Sequence, residues 1–327
     1  MNMLKEVSLI IPCKNAESKL TQLLECISDW EAIPNEIIII DSSLKKYQIS
    51  SNFEGFVKKF GIRLIIIHKQ NLYPGHARNI GINSSTNSLL AFLDTSTQPN
   101  NKWLSRGIKL MDLNKSDGVW GSTYYKATKF STKIFRACTY GEKPIRTFPG
   151  SILNKDIFSK CGLFIENTRA GEDGDWMSRA ELHRFKILLS KEFLNYDKLN
   201  YLNFKTLISK WFRYYSFTAK LPFFRAHKDL YYYGASFVAI LLAYNWNRIL
   251  ASWDTESIFF IPNITKISVL VIILLYTFTR GVFIPKKKGS KLTFILPFNF
   301  ILIAIFSAIL DLTKAMAFTY SKFNKKF

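Results

Sequence analysis

The chain has 327 residues, room for one large domain or two ordinary ones, and carries 45 Lys and Arg against 24 Asp and Glu, a formal charge of +21. An excess of this size points to an anionic partner: nucleic acid, a phosphorylated substrate or an acidic membrane surface. The four cysteines, Cys13, Cys26, Cys138 and Cys161, show no C-x-x-C pair and no metal-ligand spacing, which excludes a cysteine-built metal centre and fits reduced thiols.

The first apolar run, residues 7–11, is too short for a signal-peptide core and is predicted as a strand. Leu20, Leu23, Leu24 and Ile27 at helical spacing predict a helix over 18–30. A second strand is predicted over 36–40, ending on Asp41, Ser42 and Ser43, and a third over 63–67. A helix over 76–83 then leads to a fourth strand over 89–93, in the stretch S-L-L-A-F-L-D-T-S-T-Q-P at 88–99. That apolar run breaks on Asp94 and turns at Pro99, as expected at the end of a central parallel strand, where α/β folds place ligands. Alternating strands and helices predict an α/β domain with a mostly parallel sheet, and the polar residues at the strand ends predict a polar crevice. Asp94 in that crevice can reach a metal ion or a ribose hydroxyl.

From about residue 200 the composition changes. Residues 204–228 hold six basic residues (Lys205, Lys210, Arg213, Lys220, Arg225, Lys228) and no acid, interleaved with Trp211, Phe212, Tyr214, Tyr215, Phe223 and Phe224. Such a segment suits a lipid headgroup interface, and the apolar runs that follow favour this over a nucleic-acid patch. Residues 292–310 are uncharged for nineteen positions and predict a membrane span; 258–279 has the length but carries Pro262 and Lys266, and 231–244 is short. The lysine-rich stretch 280–291 predicts a cytoplasmic loop between spans.

These motifs together resemble the family 2 glycosyltransferases of GT-A fold, over roughly residues 6–215. V-S-L-I-I-P-C-K-N at 7–15 and E-I-I-I-I-D-S-S at 36–43 are similar to the family's first two strands, and G-H-A-R-N-I-G at 75–81 to its G-x-A-R-N-x-G segment. F-L-D-T-S at 92–96 occupies the D-x-D position with Ser96 in place of the second acid, and G-E-D at 171–173 the late acidic motif. The resemblance implies a GT-A domain over 1–203, a basic amphipathic segment over 204–228 and a membrane region of two or three hydrophobic helices over 229–327. It implies Asp173 as the catalytic base with Glu172 beside it. Donor contacts would come from Pro12, Asn15, Glu17, Asp41, Arg78, Asp94 and Ser96, and acceptor-side contacts from Gly150, Ser151, Trp211 and Arg213.

A divalent cation, Mg2+ or Mn2+, is expected at Asp94, although Ser96 is a poorer ligand for a hard cation than the missing acid; a cation such as Arg78 is the alternative. Lys210-Trp-Phe-Arg213-Tyr214 resembles the W-x-R-Y form of single-transfer enzymes rather than the Q-x-x-R-W of polymer synthases. The expected partners are a nucleotide sugar (a UDP-sugar favoured), a lipid-linked or glycolipid acceptor and an anionic membrane surface, with no nucleic acid. The expected protein is an integral membrane, inverting glycosyltransferase whose catalytic domain faces the cytoplasm. A catalytically degenerate nucleotide-sugar-binding or scaffold subunit is the alternative, and Ser96 is its main support.

Overall fold

The computed structural model describes residues 2–201, 203–221 and 229–323. Its strands are β1 (Asn2–Cys13), β2 (Ala32–Asp41), β3 (Arg63–His68), β4 (Leu89–Phe92), β5 (Thr97–Gln98), β6 (Gly118–Tyr125), β7 (Ile145–Asn154), β8 (Ile187–Leu189) and β9 (Leu194–Tyr196). They form one sheet in the order β3-β2-β1-β4-β7-β6-β9-β5, with β8 beside β6. The helices before the change in composition are α1 (Glu17–Ser28), α2 (Ser51–Phe60), α3 (Pro74–Ser84), α4 (Trp103–Asn114), α5 (Phe130–Cys138), α6 (Asp156–Cys161) and α7 (Glu172–Leu182). After it come α8 (Phe204–Thr218), α9 (Asp229–Ile249), α10 (Ile264–Phe278), α11 (Ile284–Lys287), α12 (Leu292–Ile295) and α13 (Asn299–Phe323).

The isoleucine runs of β1 and β2 are continuous because both faces of this half of the sheet are covered. Leu9, Ile11, Ile37 and Ile39 pack with Leu20, Leu24 and Ile27 of α1, Phe53 of α2 and Trp103 of α4. Their alternates Ile10, Ile38 and Ile40 pack on the other face with Ala77 and Ile82 of α3 and Trp176 of α7. Strands β3, β2, β1 and β4 are mutually parallel, and Cys13, Asp41 and His68 lie side by side in register at their carboxyl ends. The four predicted strands are present, and the helices predicted over 18–30 and 76–83 are α1 and α3.

The other half of the sheet had no counterpart in the sequence pattern. Strand β7 runs antiparallel to both β4 and β6, and β5 antiparallel to β9. Strand β6 reads G-V-W-G-S-T-Y-Y, which lacks an apolar run, and the β6–β7 register shifts between Val119 and Gly121. A Cβ at Gly121 would lie 2.0 Å from the Pro149 carbonyl oxygen, so the bulge needs glycine there.

A third core joins the sheet domain to the C-terminal helices: Ile134, Phe135 and Cys138 of α5 and Leu207 of α8 pack with Ile295 of α12 and Ile303 and Leu310 of α13. The Lys288 ammonium also donates to the Thr139 carbonyl, and Glu142 N–H donates to Lys288 O at 2.9 Å. Two helical stretches among the described residues are long and apolar enough to cross a membrane: Ile264–Lys287 and Asn299–Ser321. The first is nearly bare, whereas the second is covered on one side by α5 and α8.

These bounds correct the predicted spans. The uncharged run 292–310 is not one helix: α12 stops at Ile295, Pro297 follows, and α13 restarts at Asn299 and continues past Asp311 and Lys314. The predicted loop 280–291 is largely helix, because α10 runs on through a π-turn at Thr279–Phe283 into α11. Arg280 in that turn is neutralised by Asp311 of α13 at 2.7 Å, and Tyr276 donates to the same carboxylate at 2.9 Å. Pairing of this kind is what allows charges inside apolar helices. Within the predicted interfacial segment, residues 204–218 form α8, while 222–228, with Phe223, Phe224, Arg225 and Lys228, lie outside the described residues.

Candidate active site

The site is built around one arginine. Helix α3 packs on the sheet through Gly81, where a Cβ would lie 2.5 Å from Ile10 Cγ2 and 2.9 Å from Ile40 Cδ1. At its start Gly75 allows close approach of the 164–166 strap, since a Cβ there would meet the Ile165 carbonyl oxygen at 2.4 Å. Asn79 clamps the same strap: it donates to Phe164 O at 2.9 Å and to Glu166 Oε1 at 3.0 Å, and accepts from Phe164 N–H at 2.9 Å. Between these anchors Arg78, only 3% exposed, projects to the carboxyl ends of the strands.

Three carboxylates from two distant segments meet it. Arg78 Nη2 donates to Asp94 Oδ1 at 3.1 Å, and Nη1 donates to Glu172 Oε1 at 3.1 Å and Asp173 Oδ1 at 2.6 Å. Phe148 and Phe164 lie against the guanidinium, with ring centroids 5.4 and 5.6 Å away. Asp94 sits just past β4, in a turn closed by Thr97, whose N–H and hydroxyl both donate to Asp94 O. Glu172 and Asp173 open α7 behind Gly171, whose φ of +88° is a left-handed cap that favours glycine.

Three acids against one cation leave the cluster negative, and the two groups respond in opposite directions. Burial disfavours the Arg78 charge, but Asp173, Asp94 and Glu172 outweigh it and hold the guanidinium firmly protonated. Burial pushes Asp173 up to about 8, opposed by Arg78 and reinforced by the like charges of Glu172 and Asp94. Asp173 keeps 31% of its side chain exposed, so it faces the cleft, whereas Glu172 is 7% exposed. The neighbouring Asp175 is committed elsewhere: it is buried and accepts from Arg179 Nε at 2.9 Å.

The remaining predicted residues fall into two groups. Pro12 and Ser96 are half-buried and Asn15 and Glu17 exposed at the same strand ends, with Asn15 N–H donating to Ser43 Oγ at 2.7 Å. Trp211 and Arg213 lie on α8, Trp211 packed edge-on to Phe135 and Arg213 exposed. Asp41, by contrast, is fully buried: its carboxylate accepts from Ser43 N–H at 3.0 Å and Tyr47 N–H at 2.7 Å, with His68 Nδ1 at 3.1 Å. Burial opposes its charge, yet these bonds and the Ser43 hydroxyl hold it below the usual carboxylate range. The 42–47 turn thus closes over the Asp41 carboxylate.

Gly150 and Ser151 have structural partners. Both are buried within the β6–β7 bulge, where Ser151 Oγ accepts from Gly121 N–H at 3.0 Å and Gly150 O accepts from Trp103 Nε1 at 3.1 Å. They shape the strand under the site.

What the sequence pattern missed is a wall of tyrosines. Tyr125 and Tyr140 stack with centroids 3.8 Å apart, and Tyr196 lies 5.0 Å from Tyr125. Burial first, then neighbouring phenols and the charges of Asp94 and Asp173, push Tyr125 up; Tyr196 is raised to about 12 by burial and Asp94, and Tyr214 to about 12 by burial, Asp173 and Glu172. These phenols are therefore protonated donors beside the acids. They come from β6, β9, α8 and the loop after α5, so no spacing marks them as a group. A cavity of about 480 Å3 lies at the opposite end of β4 against Ser88, Leu89 and Met111 and contains none of this chemistry.

Among the described residues no three His, Cys, Asp or Glu side chains are grouped as a ready metal site. The donor set offers a hard cation one part-exposed carboxylate, Asp94, and the Ser96 hydroxyl two residues on. This fits a cation whose shell is completed by the phosphates of a ligand and by water.

The description "Glycosyl transferase family 2" matches residues 8–164. Residues 8–164, just under half of the chain, are thus similar to that family. Over 187 residues, 53% of this chain, it is 24% identical to Glycosyltransferase AglE of Haloferax volcanii and covers 60% of that protein. Over 178 residues, 51% of the chain, it is 28% identical to an uncharacterized glycosyltransferase of Rickettsia bellii and covers 25% of it. The chain thus spans less than two thirds of either relative's length. Among solved structures, the mannosyltransferase PcManGT of Pyrobaculum calidifontis, in complex with GDP-Man and Mn2+, superposes with a TM-score of 0.51 at 11% identity, over 97% of this chain and 88% of that one. The mixed sheet flanked by helices is the GT-A fold.

Proposed function

We propose that this chain is an inverting glycosyltransferase that moves one sugar from a nucleotide-sugar donor to an acceptor presented at a membrane. The observation that carries the reading is the Arg78 cluster, which in a family 2 domain joins the strand-end acid Asp94 to the cleft-facing acid Asp173. The donor's diphosphate lies at the strand ends beside Asp94 and Ser96, with Pro12, Asn15 and Glu17 on the nucleoside side. The acceptor hydroxyl gives its proton to Asp173 as its oxygen attacks the anomeric carbon. The bond from that carbon to the diphosphate breaks on the opposite face, and its electron pair leaves with the nucleoside diphosphate.

A base held near 8 suits this task, because it is basic enough to take the proton and is ionised in a useful fraction near neutral pH. Arg78 and the protonated Tyr125 and Tyr196 phenols face the developing negative charge on the leaving group. A divalent cation held by Asp94 would, when bound, add Lewis-acid neutralisation of the diphosphate; the Mn2+ of the Pyrobaculum mannosyltransferase complex supports that choice.

The acceptor side follows from the apolar surface. Helix α10 exposes Ile267, Leu270, Ile273, Leu274, Leu275 and Phe278, which no described element covers and which a bilayer would. We place the catalytic residues 1–203 on the cytoplasmic side, with 204–228 at the interface and 229–327 as the anchor. The test is turnover of a panel of UDP-, GDP- and dTDP-sugars with membrane lipid extract as acceptor, with and without chelator. Sugar transfer that Asp94→Ala abolishes supports the reading; no transfer from any donor, with no nucleoside diphosphate bound, contradicts it.

A further inference from the structure

The end of the first long apolar helical stretch locks into the sheet domain. Lys288 directly follows α11, where the stretch Ile264–Lys287 stops. Its ammonium donates to Thr139 O, and its own carbonyl oxygen accepts from Glu142 N–H at 2.9 Å and Lys143 N–H at 3.2 Å. The fit around these bonds is tight from both sides. A Cβ at Gly141 would lie 2.4 Å from Lys288 Cβ, and one at Gly289 would lie 2.7 Å from Lys143 Cγ, so each segment needs glycine where the other approaches.

Loop 139–143 passes this hold on to the site. Arg136, buried in α5, ties the loop from the other side: Nη2 donates to Glu142 Oε1 at 2.7 Å, and Nη1 to the Tyr124 phenol oxygen at 3.0 Å and Tyr125 O at 3.3 Å. Tyr140 of the loop lies flat on Tyr125, with 1° between the ring planes. Tyr125 is the register partner of Tyr196 where β6 pairs β9, and Tyr196 is the partner of Thr97 where β9 pairs β5. Thr97 in turn closes the turn that carries Asp94, through its N–H and its hydroxyl. An unbroken chain of hydrogen bonds, stacked rings and paired strands thus runs from Lys288 to the acid past the end of β4.

A phenol stabilises a developing charge best when its O–H is already aimed, because reorienting it costs energy at the moment of reaction. The Tyr125 ring is held by Tyr140 at 3.8 Å and by Tyr196 at 5.0 Å between centroids. The closer of these contacts is set by the loop that Lys288 fixes.

We propose that Lys288 is a positioning residue for sugar transfer: it locks loop 139–143 so that Tyr140 holds Tyr125 in place beside the Asp94 turn, and catalysis thereby depends on the seating of the C-terminal helices. This rests on the glycosyltransferase reading above and adds to it, since the anchor then shapes the site as well as locating it. A displacement of α10 and α11 reaches the tyrosine wall through the Lys288 contacts, the contiguous bonded and packed network that coupling between distant segments requires.

The experiment uses the full chain in detergent and the variants Lys288→Met, Lys288→Arg, Glu142→Gln, Tyr140→Leu and Lys288→Met/Tyr140→Leu. Hydrogen–deuterium exchange reads the loop and the wall. Turnover of the donor selected from the UDP-, GDP- and dTDP-sugar panel reads the chemistry, and melting temperature checks folding. Lys288→Met keeps the aliphatic stem and removes the ammonium. It should raise exchange at least tenfold over 139–143 and 124–126, and leave the Asn79-clamped strap at 164–166 unchanged. In the same variant kcat should fall at least fivefold with donor KM within twofold, and Lys288→Arg should restore both exchange and kcat. Glu142→Gln loosens the loop from the Arg136 side and should reproduce the loss; it decides by the same criteria if Lys288→Met fails to fold. The double variant should be no slower than Tyr140→Leu alone, because both changes act through one contact. Losses that multiply in the double variant, unchanged exchange over 124–126, or wild-type kcat in both Lys288→Met and Glu142→Gln overturn the proposal. If the wild type transfers sugar from no donor while Lys288→Met loosens the wall as expected, the glycosyltransferase reading fails separately and the structural coupling is supported.

Discussion

Replacing Arg78 by methionine removes the charge at the centre of the site but keeps an apolar side chain against Phe148 and Phe164. Three carboxylates at 2.6 to 3.1 Å then lose their shared partner. Breaking a buried ion pair from one side costs about 3–5 kcal/mol. Two features reduce that figure here. Asp94 and Asp173 are 35% and 31% exposed and recover part of their hydration, and Asp173, already pushed up to about 8, can bind a proton instead of staying charged. A net loss of ~2 kcal/mol remains, with Glu172, 7% exposed, bearing most of it. For a catalytic region of this size that is a fall in Tm of about 4–8 °C. Thermal unfolding followed by circular dichroism at pH 7.5 measures it, and the deficit should shrink as the pH is lowered and carboxylates take up protons. A change under about 2 °C, or one independent of pH, refutes the idea that Arg78 holds these acids together.

Further outcomes follow from the same geometry. The acid limb of kcat/KM should lie near pH 8 in the free enzyme, with activity rising as Asp173 ionises; Glu172→Gln removes a like charge and should move that limb to lower pH. A limb that stays in place separates the base from Glu172. Gly81→Ala should lower stability by about 1–3 kcal/mol, since the added methyl meets Ile10 and Ile40, and differential scanning calorimetry reads it directly. Asp41→Ala should cost about 1–3 kcal/mol by stranding the Ser43 and Tyr47 N–H groups, and isothermal titration should show weaker nucleoside diphosphate binding as the 42–47 turn loosens.

The parallel half of the fold was legible because its physics is local and repetitive. Residues 7–11 and 36–40 alternate sides in a sheet buried on both faces, and each strand ends in a polar turn. The G-H-A-R-N-I-G segment was legible too, since each residue meets one demand: Gly75 and Gly81 for close approach, Arg78 for charge and Asn79 for the strap. The antiparallel half was not, because β6 to β9 are short and depend on a bulge at Gly121 and Gly150 that only tertiary pairing reveals. Gly150 and Ser151 are buried in that pairing. The tyrosine wall unites residues up to 89 positions apart, and no spacing announces it. The span bounds failed on Pro297, which cuts an uncharged run that hydropathy alone reads as continuous.

The central claim is that Asp173 takes the acceptor's proton. It is tested by comparing wild type with Asp173→Asn, measuring sugar transfer and nucleoside diphosphate binding on the same preparations. The account predicts that transfer falls by at least a hundredfold, on the order of what a general base contributes, while donor-side binding stays within a few-fold. Transfer at the wild-type rate in the asparagine variant would contradict it.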